Sequence, residues 1–228
     1  MIGIIGAMQP ETAAIISEMK NKEEKMISGV QFVKGIWCGK DVVAATCGVG
    51  KVFAALCAEA MILSYHPDCI INSGVAGALD NRLHLLDIVI SEQVVQHDMD
   101  TSPLGDPKGL ISGINCVELP ADVKLADALA DAADAMSVRF LRGTVASGDQ
   151  FIADEEKRDF IRNTFGAACC EMEGGSIGHV CYVNQVPFVV LRAISDGAAD
   201  DAKMDYPAFV VKAAEQSINI LRKFTEEY

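Results

Sequence analysis

Three acidic stretches of this chain place carboxylates beside small and apolar residues, where a folded protein ordinarily avoids charge. Glu11 closes GIIGAMQPE, Glu171 and Glu173 open EMEGGSIGHV, and Asp196 closes RAISD with Arg192 just upstream. Acidic side chains are almost never fully buried unless paired or hydrogen-bonded, so each of these either caps a local element or faces a polar cavity. Residue by residue both readings stand. Glu11 behind Pro10 suits the first turn of a helix, Glu171 and Glu173 suit a helix start, and Asp196 after Ser195 suits a turn or N-cap. Met8 and Met172 serve equally as core filler. A cavity shared by these carboxylates would hold something polar.

The elements that would hold these residues follow from the apolar pattern. Strands are predicted over residues 2–6, 31–37, 42–46, 69–73, 88–95, 141–147, 167–170 and 188–194, and several of them are continuously apolar, as strands covered on both faces are. Helical spacing runs through residues 11–19, 52–65, 121–136, 154–163 and 207–224, with Val52, Leu56, Glu59 and Leu63 marking one mixed face. Strands alternating with helices indicate an α/β chain: a three-layer α/β/α arrangement around a central mixed, mostly parallel twisted sheet. Without an internal repeat or low-complexity linker, one domain spanning residues 1–228 is expected. Residues 98–120, rich in Gly and Pro, are expected to form a long functional loop or hairpin.

Ligands of α/β sheets collect at the carboxyl ends of the strands. The segments there are GAMQPE, CGVGK, NSGVAGA, SGDQF, EMEGG and SDGAAD, whose glycines let backbone N–H groups approach a ligand. The Gly3-x-x-Gly6 pair lacks the GxGxxG dinucleotide fingerprint and its acidic partner. His97-Asp98 reads as a loop hydrogen bond.

Bulk properties exclude other classes. A net charge of −13 with no basic cluster argues against nucleic acid and against anionic membrane surfaces. No apolar run reaches membrane-spanning length, and MIGIIGAM reads as a first strand rather than a signal peptide. The eight cysteines form no CxxC and lie mostly in apolar runs, as reduced thiols of a cytoplasmic protein would. With the four histidines scattered, neither a metal site nor a cofactor is expected.

The ordered series GIIGAM…E, CGVGK, INSGVAGAL, HD, SGDQFI, EME and RAISD closely resembles the 5′-methylthioadenosine/S-adenosylhomocysteine nucleosidases of the purine nucleoside phosphorylase and uridine phosphorylase superfamily. The resemblance runs from Met1 to about Leu221, and EME followed some twenty residues later by RAISD is its most specific part. It implies hydrolysis of an N-ribosidic bond, through a transition state with positive charge on the ribose and negative charge on the purine. Asp196 would give a proton or strong hydrogen bond to purine N7, held for it by a desolvated pocket. Glu11 would orient and deprotonate water, Glu173 would accept from the ribose hydroxyls, and Arg192 would hold the water and the acidic cluster. Glu171 receives no role. Phe151 would lie against adenine and the Ile152 backbone would pair with its Watson–Crick edge, favouring a 6-amino over a 6-oxo purine. Met8, Val49, Met172 and Tyr206 would wall the ribose and 5′-thioalkyl group, with Val75 and Ser195 completing the substrate site. Thr101 and Leu104 would reach a neighbouring subunit's pocket, implying a homodimer.

Two positions depart from the resembled pattern. Val75 stands where many relatives carry serine, so a hydroxyl contact is lost. Gly174-Gly175 replaces an alanine-containing pattern, and two glycines inside a helix would cost about 1 kcal/mol each against alanine. A nucleoside phosphorylase on the same fold is the nearest rival. Phosphate needs cationic or dense N–H partners, and phosphorylases of this group place arginines in the first and third glycine-rich loops; both lack arginine here, and Glu11 would repel the anion. A non-catalytic nucleoside-binding protein is the other rival, against which the water-activating Glu11 counts. Methylthioadenosine, adenosylhomocysteine, 5′-deoxyadenosine and 6-amino-6-deoxyfutalosine all fall within the implied substrate class.

Overall fold

The apolar runs settle into one mixed sheet of ten strands with helices on both faces. The structure is a computed structural model that describes residues 1–196 and 206–228, leaving out the side chains of 206–208. Its strands are β1 (Ile2–Gly6), β2 (Lys20–Ile27), β3 (Val30–Trp37), β4 (Lys40–Thr46), β5 (Cys69–Ala78), β6 (Ile88–Gln96), β7 (Leu119–Pro120), β8 (Phe140–Ser147), β9 (Ala167–Glu171) and β10 (Phe188–Asp196). The helices are α1 (Gln9–Glu18), α2 (Lys51–Tyr65), α3 (Val123–Ala135), α4 (Glu155–Phe165), α5 (Gly174–Asn184) and α6 (Tyr206–Glu227). Helices α1 and α3 both pack on α6, α2 packs on α5, and α4 lies against β8 and β9. None of the described helices is long and apolar enough to cross a membrane.

β5 organises the sheet. It runs parallel to β1 through Cys69–Asn72 on one edge and parallel to β10 on the other, then pairs antiparallel with β9 through Gly77 and Ala78. β10 continues to β6, β6 to β8 and β8 back to β9, so five strands close on themselves beside the open β1–β4–β3–β2 wing. Gly74 and Gly77 lie where β5 leaves β1 for β9, a place where strands often carry glycine to bend or admit close neighbours. NSGVAGA is therefore strand to Ala78, where the sequence suggested a loop after Ser73.

Three local features escaped the apolar pattern. β2, KNKEEKMI, is exposed at every residue but the last, and it pairs with β3 across a turn in which Ser28 and Gly29 both take positive φ. Such a turn matches the strand twist, and the lysines and glutamates guard an open edge. α5 begins on two glycines that hide its periodicity. On α2 the core face is Ala54, Cys57, Ala58, Met61 and Ile62, whereas Val52, Leu56 and Leu63 of the face marked in the sequence point outward and are exposed. Residues 98–120 hold only a 3-10 turn at Ser102–Leu104, the bridge Ile111–Cys116 and β7. The eight cysteines are unpaired, and six of them are buried core residues.

Candidate active site

The carboxyl ends of β1, β4, β5, β8, β9 and β10 converge on one cavity. Glu11, Glu171, Glu173 and Asp196 line it from three different segments, and among its described lining residues there is no lysine, arginine or histidine.

Glu11 satisfies both of its readings. It is the third residue of α1, and its Oε2 accepts from the N–H groups of Ala7 at 2.6 Å and Met8 at 2.8 Å, closing the helix start. Its Oε1 accepts from the Val75 N–H at 3.2 Å across the cavity floor, and the residue is only 2% exposed. Val75 thus contributes a backbone donor where its side chain has none to offer. Burial pushes the Glu11 carboxyl upward, against the lowering influence of the Arg192 charge and the three N–H donors. A Cβ on Gly74 would stand 2.7 Å from Glu11 Oε1, so only glycine lets β5 pass beneath this carboxylate.

The two glutamates of EME divide the two readings between them. Glu171 Oε2 accepts from the N–H groups of Glu173 at 3.0 Å and Gly174 at 2.8 Å, which makes Glu171 the cap of α5. The same oxygen accepts from Arg192 Nη2, and Oε1 accepts from the Ser147 hydroxyl. Glu173 turns to the cavity instead, accepting the Gly50 N–H at 2.9 Å, and its carboxyl is pushed up to about 7 by burial and by the neighbouring Glu171, against Arg192 and that N–H. Arg192 lies behind the cavity wall, 1% exposed. It donates to Glu171 and Asn72, and its Nη2 is 3.7 Å from Glu173 Oε2. Burial opposes its charge, but Glu171, Glu173 and Glu11 together outweigh burial and hold its pKa up. Its direct partners are the cluster, as expected, chiefly through Glu171.

The glycine pair is structural rather than a peculiarity. A Cβ on Gly175 would meet the Ser147 side chain and the Val95 carbonyl at 2.9 Å, and the Gly175 N–H donates to Ser147 Oγ at 2.5 Å. The helix start therefore docks against β6 and β8 at a distance that alanine would not allow, which outweighs the helix-propensity cost.

At the far wall, Ser195 Oγ donates to Asp196 Oδ1 at 3.1 Å and Arg158 Nη2 donates to Oδ2 at 2.8 Å. The desolvated surroundings expected for Asp196 are corrected here: its side chain is 26% exposed and the Arg158 guanidinium faces it. Arg158 Nε also donates to the Ile152 carbonyl at 3.2 Å.

Met8, Val49, Val75, Phe151, Ile152, Met172 and Ser195 line the same cavity as Glu11, Glu173 and Asp196. Thr101 and Leu104 do not line it within one chain: Thr101 Oγ1 donates to Asp106, and Leu104 is 84% exposed. Tyr206 opens α6, and its side chain lies outside the described residues. His97 is buried and Asp98 partly buried beside Lys51, whose Nζ donates to Asp98 at 2.6 Å, and the His97 pKa is lowered chiefly by burial. Sequence reading missed Asn72, Ser147 and Arg158. Asn72 inside β5 and Ser147 at the end of β8 sit beside small residues, a usable signal, whereas Arg158 sits in a charged helix with none.

The profile described as the phosphorylase superfamily matches residues 1–226. A 5′-methylthioadenosine/S-adenosylhomocysteine nucleosidase of Shewanella loihica is 39% identical over 217 residues, covering 95% of this chain and 94% of that protein. Among solved structures, a mutant nucleosidase of Helicobacter pylori with 5′-methylthioadenosine in its active site superposes with a TM-score of 0.94 at 34% identity, covering 100% of this chain and 98% of the other. A futalosine hydrolase of the same organism gives 0.93 at 35% identity, covering 100% and 97%. The chain belongs to the phosphorylase superfamily and, within it, to the 5′-methylthioadenosine/S-adenosylhomocysteine nucleosidases.

Proposed function

We propose that this protein, acting as a single nucleoside hydrolase domain, cleaves the N-ribosidic bond of 5′-methylthioadenosine, S-adenosylhomocysteine and 5′-deoxyadenosine, releasing adenine and the 5-substituted ribose. The observation that carries the reading is the single cavity with carboxylates on facing walls and no cation among its described lining residues. Water attacks C1′ and gives a proton to Glu11, whose burial raises its appetite for one. The C1′–N9 electron pair passes to the purine, and Asp196 delivers a proton to N7, so adenine leaves neutral. Proton exchange with solvent then resets both carboxyls. Glu173 accepts from the ribose hydroxyls, held in place by the Gly50 N–H and backed by Arg192. Met8, Val49, Met172 and Tyr206 wall the ribose and the 5′ group, Val75 and Ser195 complete the contacts, and Phe151 stacks on the adenine that the Ile152 backbone reads.

Phosphate finds no lining cation among the described residues and would face four carboxylates, which disfavours phosphorolysis. A non-catalytic binder would have no use for a buried carboxylate set over the reacting carbon. Pairing of two chains is part of the proposal, with Thr101 and Leu104 completing the partner's cavity. The outward apolar residues Val52, Phe53, Leu56 and Leu63 of α2 and Val183 of α5 support it, because exposed apolar patches mark contact surfaces. A cytoplasmic setting, with a place in methionine salvage, is supported by the unpaired thiols. The test is product analysis with a panel of 5′-substituted adenosines, including 6-amino-6-deoxyfutalosine, with and without phosphate. Free adenine and free ribose sugars in phosphate-free buffer are expected; ribose 1-phosphates formed only with phosphate would reassign the protein to the phosphorylases.

A further inference from the structure

Arg158 joins two walls of the cavity without lining it. It sits in the second turn of α4, and its guanidinium forks: Nε donates to the Ile152 carbonyl at 3.2 Å, and Nη2 donates to Asp196 Oδ2 at 2.8 Å. Ile152 belongs to the segment after β8 and Asp196 to the end of β10, and both line the cavity. A planar, permanently charged guanidinium reaches both acceptors at once and keeps a cation beside Asp196. The contrast one turn along the same helix is direct. Arg162 pairs with Asp159 on its own helix and donates to the Leu79 carbonyl and Asn81, none of which is a described lining residue of the cavity. Exposed ion pairs of that kind contribute little, whereas the Arg158–Asp196 pair is only 18% and 26% exposed.

We propose that Arg158 is a positioning residue for the proton donor: it holds the Asp196 carboxyl in register with the base-reading backbone of Ile152 and stabilises the charge left on Asp196 after proton transfer. The inference rests on the nucleosidase reading above. In the transfer, the Asp196 O–H bond breaks, the proton joins N7 as the C1′–N9 electron pair moves onto the purine, and the electron pair of the broken O–H bond stays on the carboxylate. Oδ2 then carries negative charge 2.8 Å from a fixed cation. That interaction grows along the reaction coordinate, so it accelerates turnover more than it tightens binding. The Ser195 hydroxyl on Oδ1 completes the hold and leaves each oxygen a further lone pair for the base.

The experiment measures kcat and KM for adenine release from 5′-methylthioadenosine by the whole protein and its Arg158→Gln, Arg158→Lys and Arg162→Gln variants. Arg158→Gln is expected to lower kcat about tenfold or more with KM within about threefold, the signature of an interaction made in the transition state. Arg158→Lys, which restores the cation beside Asp196, recovers a substantial part of the lost kcat, and Arg162→Gln matches the unaltered protein. A kcat for Arg158→Gln within about twofold of the unaltered protein, a loss confined to KM, or an Arg158→Lys no faster than Arg158→Gln would each overturn the assignment. An unaltered protein that releases no adenine would instead bring down the nucleosidase reading, a separate and visible result.

Discussion

Glu11 and Glu173 at the deep wall of the cavity are buried, with 6% of the Glu173 side chain exposed, while Asp196 at the opposite wall keeps 26% of its side chain in solvent. The deep carboxylates are held by backbone N–H groups from β1, β5 and the β4–α2 junction, with Arg192, Asn72 and Ser147 packed behind. Among the described residues, Asp196 at the far wall is held by a serine hydroxyl and an arginine fork. This difference matches two tasks. A water-activating and sugar-holding wall works best when its dipoles are fixed before the substrate arrives. The wall that receives the base has to stay open enough for a purine to enter and leave. The deep wall therefore carries both stability and chemistry, and the far wall carries chemistry with little stability.

Four substitutions put that contrast at risk, beginning with the largest effect. Asp196→Asn is expected to lower kcat about a thousandfold, within the range for losing general acid catalysis, while unfolding in urea at nearly the same midpoint. Near-normal kcat would remove Asp196 as proton donor. At the deep wall, Glu171→Gln should do the reverse in kind. It leaves the buried Arg192 without its closest counter-charge and takes a cap from α5, costing about 3 kcal/mol in denaturant unfolding. A variant as stable as the parent would mean that the deep cluster is not held by that pair. Glu11→Gln is expected to lose turnover about a hundredfold yet bind adenine within a few-fold in calorimetry, and failure to bind would move Glu11 from chemistry to recognition.

The smallest effect concerns pH. The folded Glu173 carboxyl is raised to about 7 from 4.5, so its contribution to stability is fully present below about 4.5 and is lost as pH rises through 7. Glu173→Gln cannot ionise, so its stability relative to the parent should climb by about 2 kcal/mol between pH 4.5 and pH 8. A difference that stays flat with pH would show that the carboxyl is not held up by its surroundings.

Much of this arrangement was legible in the chain. Strands such as Ile2–Gly6 and Phe188–Asp196 announce themselves as apolar runs because both of their faces are covered. The charged strand Lys20–Ile27 does not, since an edge exposed on both faces has no apolar face to display. The closure of β5, β10, β6, β8 and β9 depends on pairings between distant segments, which local pattern cannot encode. Glu11, Glu173 and Asp196 could be marked because charge beside glycine is unusual, but the division of labour between Glu171 and Glu173 needed the direction of each side chain. The Val52, Leu56 and Leu63 spacing marked the helix but not its core face: α2 has apolar residues on two faces, and periodicity does not say which one meets the core. Arg158 left no trace at all, because an arginine within EEKRDFIR looks like any solvated helix charge until β10 arrives beside it.

The central claim is that the two walls act on one nucleoside in one orientation. A crystal structure of the Asp196→Asn variant with intact 5′-methylthioadenosine tests it most directly. Purine N7 within about 3.2 Å of the side chain at position 196, the ribose hydroxyls on Glu173, and a water between Glu11 and C1′ are the predicted result. A nucleoside bound the other way round, with its purine over Glu11 and its ribose toward position 196, would contradict it.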